Sequence, residues 1–81
     1  MNQEIIKELD KILPVVVRVH GDHHPELTQV AALYAQLKQT PDARTAEALR
    51  EVTANFAAPA DACPTFQKAY ADLAKLAGEA E

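Results

Sequence analysis

Every histidine of this 81-residue chain falls within one short stretch, Val19-His20-Gly21-Asp22-His23-His24-Pro25-Glu26-Leu27. Neutral imidazole ligates iron, zinc and copper, and carboxylates complete such sites. The stretch therefore offers a metal-ligand set of His20, His23, His24 and Glu26. His20 continues the apolar face of the preceding segment, so its ring can point inward. His23 and Glu26 stand three apart, which is one helical face if His23 is already helical. Gly21 and Pro25 fix how the flanking segments meet. Against a metal, histidine suits turns, His-Pro-Glu is an ordinary helix opening, and His20 could satisfy a buried carbonyl. The chain has no H-E-x-x-H or E-x-x-H pair and no second histidine-bearing helix.

Other chemistry is sparse. Cys63 is the only cysteine, which excludes an internal disulfide and a thiol-based zinc framework. It lies near the start of the last helical segment, where a small structural residue is favoured over a redox thiol. There is no Ser-His-Asp arrangement and no glycine-rich phosphate loop, so catalysis by the monomer alone has little to draw on.

The elements that must position these residues read as helices. Ile5, Ile6, Leu9, Ile12, Leu13, Val16, Val17 and His20 recur at three- and four-residue steps. Pro14 predicts a kink, or a break with a new helix beginning there. Val15-Val16-Val17 could pass for a strand, but no partner strand exists. Gly21 is a helix stop signal. Pro25 and Glu26 open a second helix carrying Leu27, Val30, Ala31, Tyr34 and Leu37. Thr40 as cap and Pro41 at the first position open a third, with Ala46, Leu49, Val52, Thr53 and Phe56 inward. Asp61 is the expected cap of the last helix, with Phe66, Ala69, Tyr70, Leu73 and Leu76 or Ala77 inward. Gly78 and Glu79-Ala80-Glu81 should fray. The expected fold is all-α: one domain over residues 1–81, a small antiparallel three- or four-helix bundle, its first helix kinked or broken at Pro14.

A chain this short buries roughly 60% of the surface its unfolded form exposes, so a metal or a second copy would be a useful supplement. The net charge of -4 and the lack of a basic stripe argue against nucleic acid. Pairs such as Glu4 and Lys7, Glu47 and Arg50, and Lys68 and Asp72 read as solvated helix faces. The longest aliphatic run, Ile12 to Val19, is broken by Pro14 and Arg18 and is too short to span a bilayer. With no signal-peptide pattern, the expected compartment is the cytoplasm.

Two segments carry a family resemblance. Leu13-Pro14 followed by Val17-Arg18-Val19-His20-Gly21-Asp22-His23-His24-Pro25-Glu26-Leu27 resembles the segment joining two helices in the iron–sulfur cluster repair di-iron proteins, which have a hemerythrin-like bundle. Phe56-x-x-Pro59-x-Asp61-x-Cys63-x-Thr65-Phe66, with Tyr70, is similar to the second half of short members of that family. The resemblance implies a helical protein linked to repairing clusters damaged by oxidants or nitric oxide, with iron as its metal. His20, His24, Pro25, Glu26 and Leu27 match the motif residue by residue. Full-length members draw ligands from four helices, whereas this chain has no histidine before His20 or after His24. A homodimer would bring two clusters together, a geometry that two-fold symmetry allows. The partner so implied is an iron–sulfur protein. The competing expectation is a non-enzymatic helical interaction module, without metal, docking a partner through an apolar face.

Overall fold

A computed structural model describes residues 1–81. It contains four helices and no strand: α1 (Gln3–His20), α2 (Glu26–Gln39), α3 (Ala43–Val52) and α4 (Pro64–Ala80). Each helix packs against two others, α1 against α2 and α4, and α3 against α2 and α4. No helix is long and apolar enough to cross a membrane.

α1 starts at Asn2, whose side-chain oxygen accepts the amides of Glu4 (2.9 Å) and Ile5 (3.2 Å). This satisfies two of the donors that a helix start leaves without partners. The helix then runs unbroken through Pro14. Pro14 has no N–H to give the Asp10 carbonyl, but its side chain is exposed, so the missing bond faces outward. The β-branched valines 15–17 remain helical because Val16 is needed in the core. Gly21 does not take the left-handed conformation common after a helix; its φ is -59°. A Cβ there would run into the Val17 carbonyl oxygen, so close approach is what asks for glycine.

The periodic stripes of α2 and α4 are buried as their spacing predicts. Leu27, Val30 and Leu37 come from α2, and Phe66, Ala69, Leu73, Leu76 and Ala77 from α4, all fully buried. With Leu9, Leu13 and Val16 of α1, Ala46 and Leu49 of α3, and the nearly buried Tyr34 and Tyr70, they form one cluster of 15 buried residues. Alanines 46, 69 and 77 let neighbouring backbones approach closely.

Helix boundaries depart from the sequence reading in four places. Asp42, not Thr40, caps α3, its carboxylate accepting the Thr45 amide at 2.7 Å and lying below its usual range for that reason. α3 ends at Val52 rather than Phe56. Ala54, Asn55 and Phe56 all have positive φ (53°, 63°, 60°). The Thr53 hydroxyl stops the helix by donating to the Leu49 carbonyl (2.7 Å) and accepting the Phe56 amide (2.9 Å). Cys63, not Asp61, is the α4 cap, with Sγ accepting the Phe66 amide at 3.4 Å. α4 continues past Gly78 to Ala80, where Glu79 accepts the Asn2 amide and Arg50 pairs with Glu81.

Of the three helix-face ion pairs read from spacing, only Lys68–Asp72 forms, at 3.0 Å. Its carboxylate is not solvated, since Asp72 is 1% exposed. Lys68 also reaches Glu8 of α1 at 3.1 Å, which places both carboxyls and one ammonium in the α1–α4 seam.

Candidate functional site

His20 is the last residue of α1, and its carbonyl accepts the amides of both His23 (3.1 Å) and His24 (2.9 Å). That winds the chain into a tight turn and throws the His24 side chain back over the helix ends. The His24 carbonyl accepts the Leu27 amide (3.0 Å), which carries the chain into α2. Opposite this turn, Ala57 to Ala62 arrives from α3, closed by the Ala62 amide on the Pro59 carbonyl (3.0 Å). Pro64 at the first position of α4 and the Cys63 cap fix the entry angle.

The two turns meet side chain to side chain. His20 Nε2 lies 3.3 Å from Cys63 Sγ. His24 Nε2 lies 3.0 and 3.1 Å from the two carboxylate oxygens of Asp61. The other ring nitrogen, Nδ1, faces Glu26 Oε2 at 3.4 Å. Both imidazoles stand edge-on to the buried ring of Phe66, at centroid distances of 5.0 and 5.6 Å. Phe66 in turn packs on Tyr70 at 5.0 Å. The His24 side chain is only 16% exposed. The His24 ring holds the Asp61 carboxyl below the usual carboxylate range. Burial, with help from Glu26, pushes the Tyr70 hydroxyl up to about 12.

Of the residues singled out by sequence, the structure brings His20, His24 and Glu26 to one corner. His23 is exposed, and its side chain makes no hydrogen bond there. No three His, Cys, Asp or Glu side chains come together as a group that could hold a metal. His20 faces a thiol and His24 divides its two nitrogens between two carboxylates, so the donors form pairs rather than a shell. A single chain does not gather an iron ligand set from His20, His23, His24 and Glu26. What the corner does hold is a thiol and an imidazole at proton-exchange distance beside a carboxylate–imidazole–carboxylate line.

Sequence reasoning assigned Asp61 to a cap and Cys63 to structure, and so missed their partnership with the histidines. The signal available was their place in the second family-like segment. Nothing in the spacing linked Cys63 to His20, 43 residues away. Comparison with protein-family models, with characterised proteins and with solved structures returns no match for this chain.

Proposed function

We propose that this chain acts in the repair of iron–sulfur clusters after oxidative or nitrosative damage, in the cytoplasm, with the His20–Glu26 turn and the Asp61–Cys63 turn as its working corner. One observation carries the reading. The two segments that separately resemble the repair family touch residue by residue: His20 on Cys63, His24 on Asp61, and both rings on Phe66. A merely structural turn has no need to set two half-buried imidazoles against one aromatic and supply each with a different heteroatom. Because one chain pairs its donors instead of gathering them, the iron part of the proposal takes a homodimer, in which two such corners face one another. The partner is a damaged iron–sulfur protein. Antiparallel packing of neighbouring helices, with α1 bending at Pro14, belongs to the same hemerythrin-like reading.

The test is reactivation of a nitric-oxide-damaged iron–sulfur dehydratase under anaerobic conditions with ferrous iron and thiol reductant. Added protein should restore activity faster than iron and reductant alone, and His20→Ala and His24→Ala should each remove that gain. Equal recovery with and without the protein would end the reading.

A second reading, a helical interaction module without metal, is favoured by a separate feature, an open groove of about 540 Å³ between α1 and α2.

A further inference from the structure

α1 carries its charge unevenly. Lys7, Lys11, Pro14 and Arg18 recur at steps of four, three and four residues, so they share one helical face, and all are exposed. None of the three cations is in an ion pair; those pairs all lie elsewhere. A chain of net charge -4 thus presents three free cations in a row.

The α1–α2 groove shares Pro14 and Arg18 with this ridge, and its apolar lining includes Leu13, Val17 and Ala31 together with the Tyr34 ring. The one carboxylate in the groove does not oppose the ridge. Asp10 accepts Lys38 Nζ at 2.9 Å and the Tyr34 hydroxyl at 2.7 Å, and these bonds hold its carboxyl below the usual range. Val15, 38% exposed, and Val19, 61% exposed, are the large apolar side chains that α1 leaves in solvent, and neither lines the groove.

We propose that this groove docks an acidic amphipathic helix of a partner protein, its apolar stripe on Pro14, Val17 and Ala31 above the buried Leu13 and Tyr34, and its carboxylates on Lys7, Lys11 and Arg18. The inference rests on the interaction-module reading rather than on cluster repair, and none of the corner residues lines the groove. Charge selects the partner, since unpaired cations beside an apolar groove reward carboxylates and repel a basic helix. Shape selects a helix. From Lys7 to Arg18 the ridge runs about 16 Å, the length of a helix of about 11 residues presenting anchors at i, i+4 and i+7. A flat bilayer cannot enter a concave groove between two helices.

The experiment is an amide-shift titration of the full isotope-labelled chain with a capped helical peptide of about 12 residues, leucine at i, i+4 and i+7 and glutamate on the flanks. Saturable shifts confined to α1 and α2 are expected. Affinity should fall with added salt and by at least about tenfold in K11E/R18E. Both substituted residues are exposed, so the variant should keep its far-ultraviolet circular dichroism. The same peptide with lysine for glutamate should not bind. Equal binding of the two peptides, undiminished binding to K11E/R18E, or shifts centred outside the groove would overturn the proposal. So would self-association at these residues without peptide binding, or binding only to phosphatidylglycerol vesicles. Such a failure leaves the repair reading intact, because that is read by enzyme reactivation.

Discussion

Replacing Phe66 with alanine should destabilise the protein by about 3–5 kcal/mol. The side chain is fully buried and meets three rings edge to face, His20, His24 and Tyr70. Truncation loses its transfer free energy, leaves a cavity, and removes aromatic pairs worth about 0.5–1.5 kcal/mol each. A chain of this size has a total stability of about 4–12 kcal/mol, so the loss is a large share of it. In a thermal melt the midpoint should drop by at least about 12 °C. Phe66→Leu keeps most of the apolar area and should recover over half of the loss. The two variants separate packing from ring geometry: Leu restores the core but not the edge contacts that hold His20 against Cys63 and His24 against Asp61. A Phe66→Ala variant within about 1 kcal/mol of the parent would show that the corner is not anchored as described.

Asp72→Asn should stabilise the protein near neutral pH and change the shape of its pH–stability curve. Asp72 is 1% exposed, with Oδ1 accepting Lys68 Nζ at 3.0 Å and Oδ2 left without a partner. Burial, then the neighbouring Glu8 carboxyl, raises the Asp72 carboxyl above its ordinary 3.8. A proton on Asp72 supplies the donor that the seam lacks, and it can be given to Glu8, which is itself held below its ordinary 4.5 by Asp72 and Lys68. The folded state therefore binds this proton more tightly than the unfolded chain does. Between the unfolded value and the raised folded one, N holds more protons than U, so stability falls as pH rises through that window. Glu8, Asp10, Asp42 and Asp61 act in the opposite sense: their stabilisation is present above the unfolded values and lost as pH falls through the lowered folded ones. Asparagine keeps the volume, offers Glu8 a permanent donor and never ionises. Chemical denaturation at a series of pH values should show Asp72→Asn more stable than the parent at pH 7, with loss of the decline on the rising side. If Asp72→Asn instead loses stability at pH 7 and keeps the decline, the Lys68–Asp72 pair is a net stabilising ion pair and the shared proton is absent.

Periodicity made the helices legible because burial obeys it: Leu27, Val30, Tyr34 and Leu37, and Phe66, Ala69, Tyr70 and Leu73, stand where a 3.6-residue repeat puts them. Caps were less legible, because Thr40 and Asp42, or Asp61 and Cys63, are all competent local acceptors. Which one is used depends on what else needs the side chain. Asp61 is drawn off by His24, and the weaker sulfur acceptor of Cys63 takes the helix end. The end of α3 was hidden for a related reason, since Thr53 fits an inward helical position and also stops the helix once its hydroxyl captures the Phe56 amide. Asp72 followed the surface rule of its Lys68 neighbour and broke the burial rule of its face, a conflict that spacing alone cannot resolve. The candidate site was half visible. The histidines announced themselves by clustering, while their partners lie 37 and 43 residues downstream and are joined to them only by the packing of α1 on α4.

Native mass spectrometry of untagged protein loaded anaerobically with ferrous iron reads subunit number and bound metal together. If the corner works as a shared iron site, the spectrum should show a dimer retaining iron, with both the metal and the dimer lost in His20→Ala. A monomer free of iron at every concentration, identical in mass behaviour to His20→Ala, would contradict it.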